Sequence, residues 1–241
     1  MGARTACTAV VVALVTTGLA GCNVGGNKKA TPAAGSPSGG QNGSASAGTT
    51  PAKSYTAAQL KRALIHPPAG ATDTRTGSGS FTKVLAKIAA GAPGEDTPDD
   101  SSCDALSRAD LKRLRTVPSA FVTFTQGERF SSVLLVAAPG SQAKQAATEP
   151  VPQACRTTKT HMGGMTITAK VVSDEPFDLG DGGRISQTDE TSDGMRLRSW
   201  QVDFAGPGYL AMSDVGGVNV TKADAERLAR QAYGEASATL K

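Results

Sequence analysis

The 241-residue chain is poor in aromatic side chains, with one Trp, three Tyr and six Phe. Proteins that hold glycans usually do so on exposed aromatic faces, so this scarcity disfavours a glycan binder. Tyr55, Trp200, Tyr209 and Tyr233 are the candidates beside the phenylalanines, and most of them are needed for a core. Histidine is scarcer still. His66 precedes a double proline and His161 a Gly-Gly pair, so both read as exposed loop positions. A Ser-His-Asp triad would have to use one of them, and the chain has no Gly-x-Ser-x-Gly nucleophile turn. Cys-x-x-Cys and paired-histidine spacings are also missing, which leaves no metal site and no cofactor to expect. The first 52 residues contain no Asp or Glu. The overall charge of +4 therefore owes Arg4, Lys28 and Lys29 to that segment, and the remainder is close to neutral. A nucleic-acid binder needs a concentrated basic face with stacking aromatics, and neither is legible here.

The N-terminus is the most informative stretch. Arg4 is followed by an uncharged run from Ala6 to Leu19 and then by Leu19-Ala20-Gly21-Cys22. The run is shorter than the roughly 20 apolar residues that cross a bilayer. A positive start, an apolar centre and small residues before a break are the layout of a secretory signal peptide. The closing tetrapeptide resembles the lipobox of bacterial lipoproteins. That resemblance implies a signal peptide over 1–21, cleavage before Cys22, and acylation of Cys22 by palmitate-type chains. The bilayer is then a partner, and the location is the extracytoplasmic face of the cell membrane. Residues 22–52 are almost entirely Gly, Ser, Ala, Thr, Pro, Asn and Gln. Such a composition cannot bury enough apolar surface to offset its ordering entropy, so it reads as a disordered tether. Its root-mean-square span is on the order of 30 Å.

Residues 53–241 are long enough for one domain with its own core. Cys7 is lost with the signal peptide and Cys22 is acylated, so Cys103 and Cys155 remain as an even pair in an oxidising compartment. They are expected to form a disulfide. Thr56 and Gln59 fit a capping box for a first helix that His66-Pro67-Pro68 ends. A Gly-rich polar passage follows, then a helical stretch bearing Phe81, Leu85 and Ile88, and a short helix capped by Ser107 and Asp110. Ala120–Thr125 and Arg129–Ala137 read as a hairpin across Gln126-Gly127-Glu128. Gly140–Thr148 reads as a helix. Further strands are expected over Met165–Val172, Arg184–Thr188, Met195–Phe204 and Tyr209–Ser213. Thr221 and Asp224 cap a closing helix from Lys222 to about Thr239. The pattern predicts an α+β domain: an antiparallel β-sheet with helices packed on one face.

Chemistry is harder to find. Ser80-x-x-Lys83 and Ser141-x-x-Lys144 both match the Ser-x-x-Lys element of penicillin-interacting enzymes, but Ser192-Asp193-Gly194 and Lys159-Thr160-His161 fail the accompanying elements. Ser80 reads better as a helix cap. Asp174, Glu175, Asp178 and Asp181 are the best candidates for paired hydrolytic carboxylates, and a polar turn explains them as well. On the last long strand, alternation that sends Trp200, Val202 and Phe204 to the core also sends Arg196 and Arg198 to the same side. A β-bulge near Ser199 or a frayed strand end would turn the arginines out; otherwise they line a cleft with Trp200 and bind a ligand.

Several of these pieces together resemble a known family. They are the lipobox at Cys22, the polar tether, Tyr55-Thr56-Ala57-Ala58-Gln59-Leu60-Lys61, the Cys103/Cys155 spacing, the Leu179-Gly180-Asp181 turn and the Ala-rich last helix. The set is similar to actinobacterial lipoproteins related to the extracellular sensor domain of the PknH-type mycobacterial serine/threonine kinase. The resemblance implies an antiparallel sheet with helices around a ligand cleft. Kinase-attached members have two disulfides, whereas this chain can form one. The expected function is non-enzymatic binding or sensing of a cell-envelope lipid, glycan or protein. An envelope hydrolase and a purely structural or protein-interaction lipoprotein are the alternatives.

Overall fold

The computed structural model describes residues 53–90, 97–98, 103, 112–162, 165–192 and 194–241. The expected signal peptide, Cys22 and the tether lie outside the described residues, as do Ser107 and Asp110.

Thr56 and Gln59 form the capping box that starts helix α1 (Ala57–Arg62): the Thr56 amide donates to Gln59 Oε1 at 2.9 Å, and Gln59's amide donates to Thr56 Oγ1 at 3.3 Å. Tyr55 and Leu60 are both buried beside it, the hydrophobic staple that fixes the entering chain. Strand β1 (Thr72–Ser80) then leads directly into α2 (Phe81–Ala89), which buries Phe81, Val84 and Ile88. Ser80 stands at the N-cap position but makes no side-chain capping bond. The two-residue β2 (Thr97–Pro98) is followed by β3 (Pro118–Gln126), β4 (Arg129–Ala137), α3 (Gly140–Thr148) and a 3-10 turn at Gln153–Cys155. Strands β5 (Thr157–Met162), β6 (Met165–Phe177), β7 (Gly183–Ser192), β8 (Met195–Gly206) and β9 (Tyr209–Gly217) precede the last helix, α4 (Lys222–Thr239). A second capping box, Thr221 with Asp224, opens α4.

Among the described residues, nine strands form one antiparallel sheet in the order β1-β3-β4-β9-β8-β7-β6-β5-β2. The α+β class and the antiparallel sheet are therefore those read from the sequence. The placement of the helices is not. Residues of both parities are buried along β3, β4 and β9, and they divide into two cores. On one face α1 and α4 cover Val122, Leu135, Ile185, Val202, Phe204 and Tyr209. On the other, α2 and α3 cover Phe121, Leu134, Val136, Ala205, Leu210 and Met212. The correction has a simple cause: β3 and β9 are apolar on both sides, and a strand like that must be covered twice. The Cys103–Cys155 disulfide is formed, and both residues are 1% exposed.

β1 and β5 lie where the sequence reading had loops. Thr72–Ser80 is Gly-, Ser- and Thr-rich and mostly exposed, because it is an edge strand whose place is set by backbone pairing with β3. Gly77 sits against the Phe121 ring, where a Cβ would clash. His161 is on β5 rather than in a turn.

The Leu179-Gly180-Asp181 turn docks on β8. Asp181's amide donates to the Ala205 carbonyl at 2.9 Å, and Ala205's amide donates to the Gly182 carbonyl at 3.0 Å. Gly180 has φ 62°, and a Cβ there would collide with the Ala205 carbonyl oxygen. Gly180→Ala thus adds left-handed strain to a steric clash and should cost on the order of 2–3 kcal/mol. Chemical denaturation measures it, and a loss below about 0.5 kcal/mol would show that the turn yields instead.

Candidate functional site

β8 pairs with β7 and β9 in continuous register, with no bulge at Ser199. Arg196, Arg198 and Trp200 therefore do share the face on which Val202 and Phe204 are buried. β9 ends opposite Arg198, at Gly217, and helix α4 packs on β8 and β9, so the far end of this face is left uncovered. That is how the two arginines avoid burial without a bulge: the strand simply outruns its cover. Register aligns Arg198 with Asp189 on β7, Asp189 with Lys170 on β6, and Lys170 with Thr157 on β5. One row further out, Arg196 aligns with Thr191, Thr168 and Lys159. Lys159, Lys170, Arg196 and Arg198 are all exposed.

Asp189 is the carboxylate set among these cations. Arg198 Nε lies 3.2 Å from its Oδ1, and Gln187 Nε2 donates to the same oxygen at 3.0 Å. Partial burial pushes the Asp189 carboxyl up, but the bonds from Gln187 and Arg198 and the charges of Arg198 and Arg196 outweigh it and hold the group below its usual range. Trp200 closes the inner side of the patch. It is half-buried against the core, and its indole N–H is buried without an acceptor.

The acidic run at the end of β6 and in the turn after it does not converge. Asp174 and Glu175 point to opposite faces. Asp174 is almost fully buried and held by Arg184 Nε at 2.7 Å and Arg156 at 3.2 Å, and it accepts the Val151 amide at 2.9 Å. Glu175 pairs with Lys222, and Asp178 and Asp181 are exposed. A carboxylate fixed by two arginines is structural in character, a clamp between β6, β7 and the 3-10 turn. The Ser-x-x-Lys candidates fare no better: Ser141 and Lys144 are exposed on α3, and Ser80 Oγ meets Thr82 Oγ1 at 3.5 Å. Among the described residues, no group of three or more His, Cys, Asp or Glu is placed to hold a metal ion, and no helix is long and apolar enough to cross a membrane.

The opposite face of the sheet holds acids that sequence reading missed. Glu190 on β7, Asp203 on β8 and Asp214 on β9 all lie on the side covered by α2 and α3. Burial raises Glu190 and Asp203 to about 7 each. For Asp203 the neighbouring Asp174 adds to the effect, while the bond from Gln201 and the charge of Arg184 oppose it. Burial, then the charges of Glu190 and Asp203, push Asp214 well above the usual carboxylate range. Both oxygens of Asp214, one of Glu190 and the Ser199 hydroxyl have no hydrogen-bond partner. The sequence held a faint signal: Gln201-Val202-Asp203 and Met212-Ser213-Asp214 place acids inside otherwise apolar strands.

No protein-family model matches this chain, and no curated protein matches its sequence. Among solved structures, it is similar to the extracellular domain of PknH from Mycobacterium tuberculosis, at 10% identity and a TM-score of 0.49, covering 78% of this chain and 99% of that one. It is also similar to an uncharacterized protein of Mycobacterium smegmatis, the Rv0999 ortholog, at 13% identity and a TM-score of 0.32, covering 77% and 95%. Identities this low carry over no residue's role. The PknH-type resemblance read from the sequence is thus met again among solved structures.

Proposed function

We propose that this chain is a lipid-tethered extracytoplasmic domain that binds an anionic component of the cell envelope and does so without catalysis. The observation that carries the reading is the uncovered end of β5–β8, where Lys159, Lys170, Arg196 and Arg198 stand exposed in two adjacent rows of one face. Acylation of Cys22 would hold the domain at the membrane surface, and a tether of about 30 residues spans on the order of 30 Å, enough to let the patch meet its ligand there. The partly aligned, solvent-facing cations suit phosphate or carboxylate groups spread over a surface better than a single deep ligand.

The test uses the full chain with Cys22→Ser, so that no acyl group holds it to lipid. Phosphatidylglycerol vesicles should retain it and pure phosphatidylcholine vesicles should not, with retention falling as salt rises. Each cation near an anionic surface contributes about 1 kcal/mol, so Arg196→Ala with Arg198→Ala should weaken retention by roughly 10- to 30-fold. Both arginines are exposed, so the double variant should fold. Equal retention on both vesicles, or by the folded double variant, would sink the reading.

A further inference from the structure

The buried face holds a second feature, independent of the cationic patch and on the other side of the sheet. A small cavity of about 30 Å³ lies between α2 and the strands, lined by Ile88, Phe121, Phe130, Leu134 and Met212, with Asp214 in its wall. By the measure in which one water needs 10–15 Å³, it holds two or three water-sized groups. Asp214 is 5% exposed, and neither of its carboxylate oxygens has a partner. Register sets Thr123, Ser132, Asp214 and Gln201 side by side on β3, β4, β9 and β8, and all four line the cavity. Gln201 donates through Nε2 to Asp203 Oδ1 at 2.8 Å, which leaves its Oε1 free to accept. The polar side of the cavity thus offers one carboxylate and three neutral acceptors, and the other side is apolar and aromatic.

We infer that this cavity is a binding site for a primary ammonium group carried on an unbranched apolar stem. An ammonium has three donors and no acceptor, matching a wall that is rich in acceptors and has no basic group. Hard metal ions are poorly served, because they need about six oxygens and the described carboxylates do not converge on one point. The aromatic rings of Phe121 and Phe130 suit the stem and favour a nearby cation. A cavity this small takes the ammonium and its first methylenes, and the rest of the ligand lies at the mouth.

The charged surroundings fix the proton balance. Glu190 on β7 and Asp203 on β8 face Asp214, and both are acids. Arg184 and Asp174 stand beyond Asp203. Helix α2 supplies Ile88 to the wall and carries Lys83 and Lys87 on its exposed side. With no cation against it, burial and the neighbouring Glu190 and Asp203 favour the protonated form of Asp214 in the empty cavity. An entering ammonium keeps its three protons, the Asp214 O–H bond breaks, and its proton leaves to solvent.

Titration calorimetry on the full chain with Cys22→Ser tests this, using n-butylammonium as the probe and n-butanol as its neutral counterpart. Butylammonium should bind at least tenfold more tightly. Its affinity should rise with pH while Asp214 is protonated in the empty cavity, with net proton release on binding, read in buffers of different ionisation enthalpy. Asp214→Asn should abolish both the preference and the proton release. Should that variant not fold, Ser132→Leu, which fills the cavity from β4, must remove butylammonium binding. No binding to the wild-type chain, equal binding of the two probes, or an Asp214→Asn protein that keeps the preference would each overturn the inference.

Discussion

Cys155→Ser should lower the free energy of unfolding by about 4 kcal/mol. The disulfide joins residues 52 apart in sequence, and in the chain-entropy account a loop of that size removes about that much freedom from the unfolded ensemble. The effect is large because of what the loop encloses. β3, β4 and α3 lie inside it, and Cys155 immediately precedes β5 at the far side of the sheet. The cross-link closes that excursion of the chain: Cys103 follows β2 and Cys155 precedes β5, and the two strands are neighbours at one edge of the sheet. Cys103→Ser and the double variant should match the single one within a few tenths of a kcal/mol, since each removes the same bond. Denaturant melts with and without a reductant measure this. A loss under about 1 kcal/mol would mean that packing alone holds the loop.

The second large effect is a fall in stability as pH rises from 5 to 8. Glu190 and Asp203 have folded values raised to about 7, and burial, then the charges of those two neighbours, push Asp214 well above the usual carboxylate range. Unfolded, the same acids lose their protons near pH 4. Between those limits the folded state binds more protons than the unfolded one, so stability declines as pH rises. Each group contributes a slope of about 1.4 kcal/mol per pH unit where it is protonated only in the fold, and three of them give several kcal/mol in all. Asp189 and Asp224 act in the opposite sense: their carboxyls are held below the usual range by hydrogen bonds and neighbouring arginines, which overcome burial, so their contribution is lost in acid below about pH 4. Stability should therefore peak near pH 4. Thermal melts across pH check the slope. Glu190→Gln with Asp214→Asn should flatten it and raise the melting temperature at pH 8, because an unpaired buried acid is replaced by a neutral group of the same shape. A slope unchanged in that variant would place the buried charge elsewhere.

Local chemistry made part of this fold legible. The β3–β4 hairpin, the bounds of α3, and both capping boxes follow from a few neighbouring residues. The cysteine pair followed from counting and compartment. β1 was illegible because an edge strand of Gly, Ser and Thr has no apolar alternation to read; its pairing partner β3 places it. β7 was read too short for a related reason. Its buried positions beyond Ile185 are Thr188 and Glu190, polar residues that conceal the period. The arginines were half legible. Alternation gave their face correctly, but only the early end of β9 and the length of α4 decide that the face is open there.

Sequence by itself determined the class of the domain, the bounds of α3 and α4, its disulfide and the shared side of Arg196, Arg198 and Trp200, since each depends on residues near in the chain or on a count; α1 ends at Arg62, short of the prolines expected to stop it. Tertiary structure alone decided that the sheet is covered on both faces, that Asp174 is clamped by arginines, and that Asp214 is left without a partner beside a cavity. Those outcomes depend on which strands become neighbours, and β9 meets β4 only after some seventy intervening residues have folded between them. No local pattern encodes that meeting; the balance of burial over both faces of the sheet does.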